Sequence, residues 1–202
     1  MSEYNLKKMQ KKLKKYQDEA RFTHTLGVMY TSAALAMRHG YDLPKAEVAG
    51  LLHDCAKCVP NKKKIKICKK HGIPITPSEA ENPFLLHAKV GTYIAREKYH
   101  IEEDEILNAI RYHTTGKANM SLLEKIIYVA DYIEPWRNKA PNLDEIRTMA
   151  FEDLDLALYV ILKNTLSYLK KRSCVIDETT REAYEYYQGV IAKRTLKTNM
   201  SV

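Results

Sequence analysis

The chain is predicted to be all-α and to form a single helical domain. Apolar residues recur at i, i+3 and i+4 along nearly its whole length, with no convincing period-two alternation and no internal repeat. Only 7 glycines and 7 prolines in 202 residues leave little turn chemistry for a many-stranded sheet. N-cap and capping-box patterns stand in front of several apolar runs, where helices begin. With 45% hydrophobic and 29% charged residues, the chain is long enough for one substantial core and does not have a disordered composition.

The elements follow in order. Leu6, Met9, Leu13 and Tyr16 form one stripe between lysines, which predicts a short basic helix over residues 1–17 laying that stripe on the body. The main domain is expected over 18–190. Its first helix runs from Asp18 to Arg38 and stops at His39-Gly40; the next opens at Pro44, a first-turn position that proline tolerates. A lysine-rich helix begins at Asn61 and ends at His71-Gly72. Residues 72–82, with Pro74, Pro77 and Ser78, read as a loop. Asn82 is then expected to cap a helix reaching Tyr99. Glu102–His113 is the following helix, broken by Thr114-Thr115-Gly116. Ser121-Leu-Leu-Glu124 has the capping-box pattern and opens a helix that Pro135 ends. A short helix starts at Pro141-Asn142, and a long apolar one spans Glu152–Lys171. Asp177 caps a last helix ending near Val190, with 191–202 as a tail.

A formal net charge of +8 favours anionic partners, whether nucleotides, polyphosphates, nucleic acid or acidic lipid, without choosing among them. The four cysteines, at 55, 58, 68 and 174, include one Cys-x-x-Cys pair with no second pair to complete a thiolate zinc site, so reduced thiols are expected. No apolar run approaches the roughly 18 residues that span a bilayer, and no signal-like apolar region follows the first charges. A cytoplasmic protein with no membrane partner is the expectation.

Against this ordinary background, His24, His53, Asp54, His87, His113 and Asp131 fall on apolar helical stripes. His24 lies one turn after Ala20 and one before Val28. His53 follows Ala49 and Asp54 follows Gly50 by one turn. His87 aligns with Pro83, Val90, Gly91 and Ile94; His113 continues Ile106, Ala109 and Ile110; Asp131 follows Ile127. Burying such groups uncompensated costs several kcal/mol, and a shared mid-row divalent ion is the economical common compensation. His39 and His71 have simpler roles at helix ends before glycine, and His100 sits in a polar junction. The donor types suit iron, manganese, zinc or cobalt, and the spacing accommodates one ion or two.

The segment Ala49-Gly-Leu-Leu-His53-Asp54-Cys55-Ala56-Lys57 resembles the signature of the HD-domain metal-dependent phosphohydrolases. The chain order agrees: an upstream histidine, the His-Asp doublet, two further histidines and a distal aspartate over residues 24–131. Asn82–Ala88, Arg111–Gly116 and Lys125–Arg137 resemble one bacterial branch, the YqeK-like symmetrical bis(5′-nucleosyl)-tetraphosphatases. Trp136 stands where that branch would carry a small residue, and Cys55 and Cys58 also look particular to this chain.

The resemblance, which covers residues 18–190, implies a helical HD-domain bundle that splits diadenosine tetraphosphate into two ADP. It implies that His24, His53, Asp54 and Asp131 hold iron, while His87 and His113 face the phosphates or join Asp54 around a second metal. A metal-activated water would attack an inner phosphorus, with Asp54, His87 and His113 as the catalytic groups. Substrate contacts are expected at His24, Asp54, His87, His113 and Asp131, at Lys57 near the metal mouth, and at Arg137 as a bidentate phosphate clamp. Thr114, Thr115 and Gly116 are expected at the mouth, and Lys171, Arg172 and Ser173 near a nucleotide. Each of these also has an ordinary reading: a solvated cation, a plain turn or a helix end. A homodimer is allowed and no nucleic acid is required. Two rivals stand beside this expectation. One is an HD enzyme acting on a deoxynucleotide, a cyclic nucleotide or a guanosine alarmone; the other is a non-catalytic basic RNA-binding module, which would not need six convergent ligands.

Overall fold

A computed structural model describes residues 4–172 and 174–199. Its helices are α1 (Leu6–Leu13), α2 (Glu19–His39), α3 (Leu43–Leu52), α4 (Asn61–Lys70), α5 (Pro77–Glu81), α6 (His87–Tyr99), α7 (Asp104–Tyr112), α8 (Leu122–Ile133), α9 (Leu143–Glu152), α10 (Leu154–Lys171) and α11 (Glu178–Asn199), with a 3-10 turn over Pro83–Leu86. No strand occurs among the described residues. The all-α expectation holds.

The site depends on how α2, α3, α7 and α8 pack. Helix α2 packs against α3 and α8, while α7 contacts α3, α6 and α8. Val28, Leu51, Leu52, Ile106, Ile110, Ile126 and Ile127 are fully buried between them, so that apolar burial holds their polar ends in register. On the far side, α10 backs this group, packed on α8, α9 and α11. Helix α1 lays Leu6, Met9 and Leu13 on the body as expected, but it stops at Leu13 and leaves Tyr16 exposed.

Local capping explains most boundaries. Ser121 and Glu124 form the expected reciprocal box at the start of α8. Residues 72–82 are not a plain loop, because Thr76 and Glu79 make a second capping box that starts α5. Asn82 does not cap α6. Its side chain instead donates to Ser78 O at 3.3 Å, Pro83 opens the 3-10 turn, and α6 begins only at His87. Asp153 accepts from Asp155 N and Leu156 N, both at 3.1 Å, so α10 starts at Leu154 and Glu152 belongs to α9. The last helix continues past Val190 because Arg194 pairs with Asp153 and Asp155 and ties the extension to the start of α10. Residues 191–199 are therefore helix, not tail; the expectation for 200–202 lies outside the described residues.

No described helix is long and apolar enough to cross a membrane. All four cysteines are free, and burial pushes the Cys55 thiol up to about 12, which makes it inert at neutral pH.

Tyr187, fully buried on α11, accepts the Met120 backbone N–H at 2.9 Å and so ties α11 to the start of α8. Tyr187→Phe leaves that amide without a partner. The expected loss is about 1–3 kcal/mol of stability, measured by urea unfolding; an unchanged midpoint would refute the tie.

Candidate metal centre

Four imidazoles reach the same space through the same nitrogen. His53 Nδ1 donates to Gly50 O at 2.6 Å, His87 Nδ1 to Phe84 O at 2.7 Å and His113 Nδ1 to Ile110 O at 2.7 Å. The acceptor lies three residues earlier in each case. For His53 and His113 it belongs to the last turn of α3 and α7, where carbonyls run out of amide partners. The phasing expected from the sequence therefore needs correcting: these three histidines stand at helix ends, and Asp54 in the turn after α3, while His24 and Asp131 project from within helices. His24, in the second turn of α2, uses a carboxylate instead, donating from Nδ1 to Glu134 Oε1 at 3.0 Å. With Nδ1 occupied by an acceptor in all four rings, the network assigns Nε2 as the nitrogen facing the centre.

Those nitrogens crowd together. His24 and His53 Nε2 are 3.3 Å apart, and His87 and His113 Nε2 are 3.2 Å apart. Burial pushes the His53 imidazole down to about 3 and also lowers that of His87, keeping both neutral. Burial works against His24 too, but Asp131 and Glu134 outweigh it and raise its affinity for a proton.

Asp54, only 2% exposed, joins the two halves. Its Oδ2 lies 3.6 Å from His53 Nε2, 3.8 Å from His24 Nε2 and 2.8 Å from the Arg21 guanidinium. Its Oδ1 lies 3.3 Å from His87 Nε2, 3.4 Å from His113 Nε2 and 3.6 Å from Lys57 Nζ. Asp131 Oδ1 sits 3.1 Å from His24 Nε2 and 3.8 Å from His53 Nε2. Burial alone would raise both carboxyls. For Asp54, His53, His113, His87 and Lys57 reverse that effect; for Asp131, His24, His53 and Arg137 do so, and each carboxyl is held well below its usual range.

This donor set fits a divalent cation. His24, His53 and Asp131 form one group of ligand atoms within 4.8 Å of one another; His53, Asp54 and His113 form a second that shares His53. Asp54 Oδ1 is buried without an aligned hydrogen bond, and the lone pairs on opposed imidazole nitrogens need positive charge between them. Imidazole and carboxylate, with no thiolate, suit mid-row divalent ions.

The other expected residues divide. Lys57 Nζ lies 3.1 Å from His87 Nε2, and Thr114 Oγ1 lies 3.1 Å from Nε2 of both His87 and His113. Arg137 holds Asp131 with two contacts, to Oδ1 at 2.9 Å and to the backbone carbonyl at 3.0 Å. Thr115 Oγ1 is bonded to Gly116 O at 3.0 Å. Gly116 is not at the mouth: at φ +66° it donates to Tyr112 O and packs against Ala183, Tyr128 and Leu162. Lys171 and Arg172 end α10, exposed, with the Arg172 guanidinium over the Tyr168 ring, and no described hydrogen bond or ion pair links them to the centre. Ser173 lies outside the described residues.

A family model described as HD domain matches residues 21–136, a span holding all six convergent side chains. The chain belongs to the HD-domain family. Within it, the chain is 42% identical over 175 residues to a Bacillus subtilis (strain 168) protein named bis(5′-nucleosyl)-tetraphosphatase, symmetrical, covering 86% of this chain and 92% of that one. It is 35% identical to a Staphylococcus aureus protein of the same name, covering 91% and 94%. The chain is a member of this tetraphosphatase branch. A solved structure from Clostridium acetobutylicum, described as a predicted HD superfamily hydrolase involved in NAD metabolism, superposes with a TM-score of 0.88 at 41% identity, covering 92% of this chain and 98% of that one. HD-domain hydrolases bind divalent metal, in accord with the donor set.

Sequence reading missed two residues of the HD centre. Arg21 precedes His24 by one turn on α2, so its spacing was a usable signal. Glu134 follows the α8 stripe next to Pro135, where it resembled an ordinary helix end; it is 2% exposed and supports both His24 and, through Oε2 at 2.8 Å, the Trp136 backbone N–H. Gly27 makes room for it. A Cβ there would lie 2.5 Å from Glu134 Oε2, which accounts for a mid-helix glycine costing about 1 kcal/mol relative to alanine. Glu134→Ala is therefore expected to weaken divalent-metal binding by about 10–100-fold, read by competition with a chelator. Unchanged affinity would detach His24 from the metal.

Proposed function

We propose that this HD-domain protein hydrolyses diadenosine tetraphosphate and related dinucleoside polyphosphates symmetrically, giving two nucleoside diphosphates. The observation that carries this reading is the division of Asp54 between two halves of one site. Its Oδ2 faces His24, His53 and Arg21, and its Oδ1 faces His87, His113 and Lys57. The candidate metal ligands therefore adjoin the Lys57 ammonium, a group that matches phosphoryl oxygens. The names of the tetraphosphatase relatives support the substrate and the symmetrical outcome.

His24, His53, Asp54 and Asp131 would hold a divalent ion, which we take to be iron. When bound, such an ion supplies Lewis acidity, lowering the pKa of a water and neutralising phosphoryl charge. Asp54 orients the attacking water. The Thr114 hydroxyl, the Lys57 ammonium and the His87 and His113 imidazoles surround the entering phosphoryl group, and a second ion fits the group of His53, Asp54 and His113. Water oxygen bonds to an inner phosphorus and gives up a proton to solvent while the P–O bond between the two inner phosphates breaks, and one ADP departs as a phosphate anion. Lys57 and Arg137 neutralise charge along the chain of phosphates.

The expected result of incubation with diadenosine tetraphosphate and Fe²⁺, Co²⁺ or Mn²⁺ is ADP as sole nucleotide product by chromatography. ATP plus AMP would overturn the symmetrical assignment, and turnover of only a deoxynucleotide, a cyclic nucleotide or a guanosine alarmone would overturn the substrate.

Asp54→Ala should abolish turnover while helical circular dichroism is retained. Activity surviving that change would place the reaction elsewhere.

A further inference from the structure

One aromatic side chain at the rim has no part in the hydrolytic chemistry. Trp136 is 57% exposed, yet it is firmly placed. Its backbone N–H donates to Glu134 Oε2 at 2.8 Å, and its ring rests on Gly27, where a Cβ would meet Cε3 at 2.8 Å and Cζ3 at 2.9 Å. Gly27 is one turn along α2 from His24, about 4.5 Å of helical rise. The other oxygen of Glu134 holds His24 Nδ1 at 3.0 Å. A single buried carboxylate thus fixes both a central imidazole and the rim indole.

Arg137, the next residue, reaches Asp131 Oδ1 at 2.9 Å, and that oxygen lies 3.1 Å from His24 Nε2. Indole, guanidinium and metal-ligand set therefore follow one another across a short stretch of surface. Leaving a large apolar ring in water forfeits burial energy, and a glycine within α2 forfeits helix propensity. The Glu134 carboxylate accounts for part of the glycine requirement, but not for presenting an indole to solvent at that place.

We propose that Trp136 is a base-stacking platform. A nucleobase of the bound nucleotide lies on the exposed indole face while its phosphates run past Arg137 toward His24. This deepens the nucleotide reading above and rests on it. Stacking of this kind accepts any base, since every base has a π-face, so the platform strengthens nucleoside binding without selecting adenine over guanine.

Trp136 is the only tryptophan in the chain, so its fluorescence reports on this place alone. The metal-loaded protein is titrated with ADP and, separately, with inorganic pyrophosphate, which carries the phosphates without a base. ADP should quench the emission saturably, after absorbance correction, and pyrophosphate should not. By calorimetry, Trp136→Ala should raise the Kd for ADP by roughly fivefold or more and leave that for pyrophosphate unchanged, and Trp136→Phe should recover most of the loss. Equal quenching by both ligands, or ADP binding unaltered in Trp136→Ala, would overturn the platform. The two readings fail separately. Absence of diadenosine tetraphosphate cleavage with base-dependent quenching removes the hydrolysis and keeps the platform; cleavage with unaltered ADP binding in Trp136→Ala does the reverse.

Discussion

A single ionised carboxylate, nearly sealed from water, is the constraint around which this structure is organised. Asp54 is 2% exposed, and burial by itself would favour its protonated form. It stays ionised because the Arg21 guanidinium faces Oδ2 and the Lys57 ammonium faces Oδ1, while imidazole nitrogens converge on both oxygens as donors that a bound cation would share. Those groups come from α2, the turn after α3, α6 and the end of α7. Displacing any of these elements would leave a buried charge without compensation, a large penalty against the 5–15 kcal/mol by which a domain is typically stable. The apolar packing of α2, α3, α7 and α8 and the polar centre thus depend on each other.

The fold solves the orientation of four imidazoles with little machinery. Three take a backbone carbonyl three residues earlier, two from the last turns of α3 and α7 and one from the 3-10 turn before α6, without any dedicated side chain. The fourth, within α2, has no such carbonyl to spare and borrows Glu134 from the end of α8. Fixing Nδ1 in this way decides which nitrogen faces inward and removes rotational freedom before any ligand arrives. Phe84 O also accepts from Lys64 Nζ at 3.4 Å, so the carbonyl that orients His87 is itself held by a buried lysine.

What the sequence could reveal followed from the kind of signal each residue leaves. His24 and Asp131 lie within regular helices, where 3.6-residue phasing is informative. The His53-Asp54 doublet and the order of the histidines were legible as a motif, although their positions at helix ends were not, because side chain to carbonyl bonds leave no periodic trace. Arg21 and Glu134 look like solvated helix charges until the chain is folded around them. The capping box of Thr76 and Glu79 was present in the sequence but hidden between two prolines in a stretch that otherwise reads as loop. Gly116 shows the opposite case: a glycine beside the predicted mouth is required by its left-handed backbone, while its amide is spent on Tyr112 O.

The two-sided coordination of Asp54 also bears on why the HD centre is built from neutral imidazoles and not from more carboxylates. A site for a polyphosphate must hold cations without repelling the substrate's own negative charge. Two carboxylates, at Asp54 and Asp131, balance one divalent ion, while the four imidazoles add donor atoms without adding charge. Arg21, Lys57 and Arg137 contact these carboxylates from outside, so the surroundings of an occupied site would be net positive even with Glu134 counted. Burial keeps His53 and His87 neutral, so those two rings leave that balance unchanged. Attraction for phosphate then rests on the cations Arg21, Lys57 and Arg137, which the framework holds beside the two carboxylates.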